Sequence, residues 1–310
     1  MKASVIISDI VSQNMLLVDM LALCTQDFPP DQYEIILPDL GMLITEERAL
    51  LAEFQKQYPN FRVLVNNGKN RSAMINEAVR QSKGELLFFV ESHCLAHKTW
   101  LREFSALFKD KKVQAALGYI KTVPTDSWIG QAEEEHRRRV MRSFEKYKVI
   151  DSYFDFHNVA ITRKCFDAMC GLSEDIPIMA EFELGAQLHH NGIKIVKFPQ
   201  SIIWHFNDAT HSSYSAIVAG QGADKTRMLK RRGEKFIQMY FPLSTTFTRH
   251  QNFFRLFRIP LLLMEKMLMY EGIAGFMCAK TLRMNKVAMR FFKLFAESSH
   301  RYGLLSGLKG

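Results

Sequence analysis

Short apolar runs alternate with helix-periodic segments through the first half of the chain. Residues 3–8, 33–37, 61–65 and 85–90 read as strands, and 15–24, 46–58 and 71–81 read as the helices between them. Strands separated by helical stretches of this length imply βαβ crossovers, and so a mostly parallel sheet flanked by helices. A further strand is expected over 113–123. A helix over 131–148 follows, supported by Glu133/Arg137, Glu134/Arg138 and Glu135/Arg139 at i, i+4 spacing. Then come a strand at 158–161, a helix at 163–168, and a helix at 181–191 stopped by Gly192. Two short strands, 193–198 and 201–205, flank Pro199.

After Asn207 the pattern changes. The remaining stretch is rich in Phe, Met, Leu, Lys and Arg, so the chain divides into an α/β domain over 1–207 and a basic, apolar helical extension over 208–310. From Lys225 to Gly310 there are 17 Lys and Arg against 4 Asp and Glu, whereas residues 1–224 carry a net charge of −4. Lys280, Arg283, Lys286, Arg290 and Lys293 form a basic stripe on an expected last helix, beside an apolar stripe of Met284, Ala288, Phe291 and Phe295. Such a helix suits an anionic membrane surface; a domain-packed helix with a solvated basic face fits the same pattern. The best membrane-span candidate, 256–277, is interrupted by Arg258, Pro260, Glu265, Lys266 and Glu271. Nothing in the chain has the form of a nucleic-acid recognition motif, so no nucleic-acid partner is expected.

With 310 residues, 47% of them hydrophobic, the chain can bury a large core. Its five cysteines are scattered without a C-x-x-C pair, which points to a reducing, cytoplasmic setting. The opening apolar run is too short for a signal peptide and reads better as a buried strand.

Chemistry concentrates at the end of one strand. Leu86-Leu87-Phe88-Phe89-Val90-Glu91-Ser92-His93 delivers a carboxylate and an imidazole two positions apart, on one face, at the C-terminal edge where open α/β sheets bind ligands. A strand followed by a solvated turn is the plain alternative.

The ordered landmarks resemble the family 2 inverting glycosyltransferases of the GT-A fold, which use nucleotide-diphosphate sugars. The likeness runs over roughly residues 3–207. It rests on the opening strand Ala3-Ser4-Val5-Ile6-Ile7, on Tyr33-Glu34-Ile35-Ile36-Leu37-Pro38-Asp39, and on Gly68-Lys69-Asn70-Arg71 through Asn76 with Gly84-Glu85 beyond. Farther on it rests on Asn158-Val159-Ala160-Ile161-Thr162-Arg163, Gly171-Leu172-Ser173-Glu174, Glu181-Phe182-Glu183-Leu184, Gly192, Pro199 and His205. The chain departs from the family where chemistry is concentrated. The D-x-D motif reads Glu91-Ser92-His93, the E-D pair reads Ala180-Glu181, the aspartate after Asp39 is Leu40, and the first-strand corner reads Ser8-Asp9-Ile10-Val11.

The resemblance implies a role for each matching position. Glu181 falls at the catalytic base, with Glu183 as the fallback. Asp39 falls at the carboxylate that reads the nucleobase, and Glu91 where the donor's diphosphate is held; alternatively, Lys69 or Arg71 could stabilise that diphosphate without any metal, as basic side chains do at other phosphate sites. Glu91, His93 and His205 fall at the divalent-metal site, where a mixed His/carboxylate set suits Mn²⁺ better than Mg²⁺. Asn76 is expected to brace the loop carrying Lys69 and Arg71. The implied reaction moves a sugar with inversion onto an acceptor hydroxyl; the basic extension adds the expectation that it holds the enzyme against the cytoplasmic face of a membrane, with a lipid-linked or surface-polysaccharide intermediate as acceptor. Two rivals stand beside it. One is a degenerate GT-A protein that only binds a nucleotide sugar or a partner enzyme. The other is a nucleotidyltransferase, which should carry a glycine-rich loop where residues 8–14 have no glycine.

Overall fold

The computed structural model describes residues 2–9, 15–41, 43–65, 68–123, 125, 127, 129–132, 134–135, 152–207, 209–243, 247, 251–282 and 284–308, the side chains of 253 and 285 excepted. The chain divides into two compact units. The first comprises Met1–Pro124, Lys148–Glu174 and Ala180–Asn207; the second comprises Thr125–Tyr147, Asp175–Met179 and Asp208–Gly310. Most of the helix expected over 131–148, with the arginines of its charged pairs, lies outside the described residues.

The first unit is an α/β layer structure. In chain order its elements are β1 (Ala3–Ile7), α1 (Leu16–Cys24), β2 (Tyr33–Asp39), α2 (Thr45–Gln57), β3 (Phe61–Val65), α3 (Arg71–Gln81), β4 (Leu86–Val90), β5 (Cys94–Ala96) and α4 (Trp100–Leu107). These are followed by β6 (Ala115–Val123), β7 (Val159–Thr162), α5 (Arg163–Ala168), α6 (Ala180–His190) and β8 (Ile195–Phe206). Among the described residues the strands form one mixed sheet in the order β3-β2-β1-β4-β7-β6-β8-β5. Pairing is parallel from β3 through β4 and between β6 and β8. It is antiparallel where β7 joins β4 and β6, and where β5 joins β8. β1 and β2 are buried along their whole length, as central strands covered on both faces must be.

The two short strands expected around Pro199 are one strand, β8. Its register against β6 slips between Gly118 and Tyr119, so that Gly118 pairs with Phe198 and Tyr119 with Ile202. Pro199 cannot donate to the ladder, and the slip leaves it unpaired without ending the strand. Asn158 secures this irregularity from inside. Its side-chain amide donates to the carbonyls of Tyr119 and Ser201, both at 3.0 Å, and its oxygen accepts from the Trp100 indole at 2.8 Å.

The second unit is helical: α7 (His211–Arg232), α8 (Glu234–Tyr240), α9 (Gln251–Leu256), α10 (Arg258–Thr281) and α11 (Asn285–Ser306). Its core gathers Ile129, Ala132, Tyr214, Phe276, Ala279, Ala288, Phe292 and Phe295. Glycine allows α7 and α11 to touch: a Cβ at Gly303 would fall 1.7 Å from the Ala219 carbonyl oxygen. Asp224 of α7, fully buried, accepts from the backbone N–H groups of Ile178 and Met179 at 2.7 and 2.9 Å and so fixes the 175–179 segment. The basic stripe expected on one last helix is divided. Lys280 ends α10, Lys286, Arg290 and Lys293 belong to α11, and Arg283 lies outside the described residues. The chain reverses at the joint, where Met284 N–H donates to the Ala279 carbonyl at 2.8 Å. Ala288 and Phe295 of the expected apolar stripe are buried in the core, which the reversal makes possible. Among the described residues no helix is long and apolar enough to cross a membrane.

One buried group in the first unit opposes folding. Asp19 on α1 is 1% exposed, its carboxylate oxygens have no hydrogen-bond partner among the described residues, and burial pushes its pKa up to about 8. The folded protein therefore holds a proton that the unfolded chain has already released. This group's contribution to stability is complete below about pH 4 and is lost as pH rises toward about 8, at about 1.4 kcal/mol per pH unit. Asp19→Asn is expected to widen its melting-temperature advantage over wild type between pH 5 and 8. Parallel melting curves across that range would contradict the assignment.

Candidate active site

The site is assembled at the C-terminal ends of β1 and β4. Register pairs Ile7 with Val90, and two hydrogen bonds continue past the strands: Ser8 N–H to the Val90 carbonyl at 2.9 Å, and Ser92 N–H to the Asp9 carbonyl at 3.1 Å. Asp9 and Glu91 are thereby brought together from neighbouring strand ends. Between them lies Arg71, the first residue of α3, a helix capped by Asn70 through Ala73 N–H at 3.0 Å.

Arg71 joins the cluster. Its guanidinium makes two hydrogen bonds to Glu181 on the first turn of α6, at 2.9 and 3.4 Å, and lies 3.6 Å from both Asp9 and Glu91. Its Nε donates to the Ser8 carbonyl at 2.9 Å. Burial works against its charge, but the fields of Glu181, Asp9 and Glu91 outweigh burial and hold it firmly protonated. Burial likewise raises Glu181 above the ordinary carboxylate range, with Arg71 pulling it back. Glu91 is pushed up to about 7 by burial, which His157 opposes. Glu183 is fully buried in the same helix.

Beside Glu91 stand three imidazoles. His93 and His205 approach through their Nε2 atoms at 2.9 Å, and His157 Nε2 lies 3.2 Å from Glu91 and His93 Nε2 3.6 Å from it. The three ring centroids are 4.8 to 5.3 Å apart. Strand register explains the convergence. Phe89 pairs with Val159 across antiparallel β4 and β7, so extending that pairing two residues sets His157 opposite Glu91. Cys94 pairs with His205 across β5 and β8, which brings His205 beside His93. Asp155 accepts from His157 and from the Tyr153 hydroxyl, and the buried Asn158 fixes the backbone one residue beyond. The donor atoms of His93, His157 and His205 lie within 4.8 Å of one another, as do those of Glu91, Asp155 and His157. Three imidazoles and a carboxylate fit a divalent transition-metal ion.

The remaining sequence-derived positions are held elsewhere. Asp39 ends β2 with one carboxylate oxygen accepting from Gly41 N–H at 2.8 Å and the other paired with Arg48 at 2.9 Å. Lys69 pairs with Glu77 at 2.9 Å. Asn76 braces a different loop from the expected one. Its amide donates to the Leu172 carbonyl and to Glu174, and its oxygen accepts from Leu172 N–H, because one turn of α3 beyond Arg71 faces the 171–174 segment. Asp9, Asp155 and His157 were not singled out by the sequence reading. An acid and a histidine two apart, just ahead of a strand that pairs with β4, is the signal that would have found the last two.

With this geometry in view, comparison with known proteins gives a consistent family. Residues 5–168 match the model of Glycosyl transferase family 2, more than half of the chain, and the chain belongs to that family. Over 81 residues it is 28% identical to the glycosyltransferase AglE of Haloferax volcanii, a stretch covering 26% of each chain. Over 175 residues it is 26% identical to YfnE of Bacillus subtilis, named as an uncharacterized glycosyltransferase, covering 54% of this chain and 43% of that one. The matches thus span from a quarter to less than half of these relatives. Among solved structures, the mannosyltransferase PcManGT from Pyrobaculum calidifontis, in complex with GDP-Man and Mn²⁺, superimposes with a TM-score of 0.62 at 13% identity, covering 99% of this chain and 87% of that one. S. aureus TarS 1-349 in complex with UDP-GlcNAc gives 0.56 at 13% identity, with 97% and 91% covered. The fold is GT-A.

Arg71 is the only described cation within ion-pair distance of Asp9, Glu91 and Glu181 together. Removing it would leave buried carboxylates facing one another. Arg71→Met is expected to lower stability by about 3 kcal/mol or more, read as a shifted urea midpoint, with Arg71→Lys losing less. An unchanged midpoint in Arg71→Met would take the guanidinium out of this role.

Proposed function

We propose that the protein transfers a sugar from a nucleotide-diphosphate donor to an acceptor hydroxyl with inversion at the anomeric carbon. The observation that carries this reading is the meeting of Glu181, Arg71, Glu91 and three histidines at the strand ends of a family 2 glycosyltransferase. In the reaction the acceptor oxygen bonds to the anomeric carbon from the face opposite the diphosphate. The bond from that carbon to the diphosphate oxygen breaks, its electron pair leaves with the diphosphate, and the acceptor's proton passes to a carboxylate.

Glu181 is assigned as that carboxylate. Arg71 holds both its oxygens and sets the direction of the free lone pairs. His93, His157, His205 and Glu91 would hold a divalent cation, which supplies charge stabilisation for the leaving diphosphate when bound. Asp39 is assigned to the nucleobase, where it would exchange its Gly41 or Arg48 contact for a ring N–H, and Lys69 to the diphosphate. The acceptor is assigned as a lipid-linked or surface-polysaccharide intermediate, in keeping with the basic extension. A second reading, nucleotide-sugar binding without transfer, is favoured by the same ion pair, since Arg71 engages the carboxylate that transfer needs free.

One variant separates the two readings. Glu181→Gln should lose transfer by roughly 100-fold or more while keeping nucleotide-sugar affinity, measured by product formation and by titration calorimetry. Wild-type protein that binds a donor but transfers to no acceptor, with Glu181→Gln indistinguishable from it, would select the binding-only reading. A further expectation concerns the metal: equilibrium dialysis should show Mn²⁺ or Co²⁺ retained far more tightly than Mg²⁺, with His157→Ala weakening retention by roughly 10-fold or more. Equal retention in wild type and His157→Ala would remove that histidine from the ligand set.

A further inference from the structure

The outward face of α10 is apolar from end to end. Ile259, Leu263, Met267, Tyr270, Ala274 and Met277 follow at spacings of 4, 4, 3, 4 and 3, which is one side of a helix. All six are exposed, the five larger ones by 46% to 70%. The stripe is about 27 Å long at 1.5 Å per residue. Exposed Leu256 and Phe257 extend it at one end, and exposed Leu282 and Met284 lie at the other. The opposite side of the same helix is already in use: Gly272, Phe276 and Ala279 are buried, and Glu265 pairs with Arg301 of α11 at 2.7 Å. A helix apolar on both sides, with one side in water, is arranged for a partner.

We infer that this face lies on an anionic lipid bilayer, with α10 parallel to its surface. Charge selects the partner. The exposed charged residues on and around α10 and the following helix include Arg255, Lys266, Lys280, Lys286, Arg290 and Lys293 against Glu271 and Glu297. A second copy would bring an equal basic surface, and the stretch from Lys225 onward carries 17 basic against 4 acidic residues. Pairing two such surfaces sets like charges together, whereas an anionic membrane adds attraction to apolar burial. The contact differs from the one suggested by the 280–293 stripe, whose buried members already form the core of the helical unit. It does not depend on the transfer chemistry.

The test is flotation of the full chain with vesicles of phosphatidylcholine alone and of phosphatidylcholine mixed with phosphatidylglycerol. Wild type should float with the mixed vesicles. Leu263→Ser/Met267→Ser, both exposed positions, should reduce partitioning roughly 10-fold or more. Lys266→Gln/Lys280→Gln, which disturbs no packing, should reduce it by about fivefold per lysine. In a Cys170→Ser background, an environment-sensitive dye on exposed Cys278 should shift to the blue on adding mixed vesicles. The proposal fails if both double variants float like wild type, or if the dye reports water throughout. It also fails if wild type ignores vesicles and forms a concentration-dependent dimer that Leu263→Ser/Met267→Ser dissolves, since a second copy would then cover the face.

Discussion

A single buried guanidinium holds the candidate site in register. Arg71 meets Glu181 from α6, Glu91 from the end of β4 and Asp9 from the end of β1, and it donates to the Ser8 carbonyl beside them. Positions 9, 71, 91 and 181 therefore share one point although four separate elements carry them. One cation among three carboxylates leaves the cluster with an excess of acceptors, and the imidazoles stand on the side of Glu91. The electrostatics are graded: Arg71 neutralises most strongly at Glu181, where the contacts are shortest, and least at Asp9 and Glu91. Glu91, held by Arg71 only at 3.6 Å, also faces His93 and His157.

That grading bears on the replacement of D-x-D by Glu91-Ser92-His93. An aspartate pair would offer hard oxygen donors from one strand end. Here one carboxylate remains, and nitrogen donors arrive from three directions: His93 from the turn after β4, His157 from the lead into β7, and His205 from β8. His205 is placed by strand pairing, whereas His93 and His157 lie in turns directly beside paired strands. Under the proposed metal reading, such a donor set would favour a transition metal over Mg²⁺.

Much of the fold was legible because its elements announce themselves locally. The largely apolar runs at Ala3–Ile7 and Tyr33–Asp39 and the capped start of α3 at Asn70 need no tertiary information. What the sequence could not display was pairing. That His157 faces Glu91 follows only once β7 is known to run antiparallel to β4, and spacing along the chain says nothing of this. Arg71 illustrates a second limit: its residue type suits a diphosphate as well as a carboxylate, and burial beside Glu181 is a property of the assembled fold. Asp39 is similar, because its hydrogen bond to Gly41 and ion pair with Arg48 arise at the strand-to-helix corner. The 280–293 stripe misled for a different reason. Helical periodicity continued through a point where the chain reverses, and periodicity alone does not register a turn that buries one of its own stripes.

The two sides of α10 show how composition and fold combine. Its inward side contains buried Glu265, paired with Arg301 through one carboxylate oxygen, and glycine at 272, where a Cβ would stand 2.7 Å from the Phe295 backbone nitrogen, so α11 can approach closely. Close approach confines the contact to a narrow band, and among the described residues the apolar remainder of the helix stays exposed. Tight packing on one face and apolar exposure on the other therefore have one origin, the small residues at the α10–α11 seam.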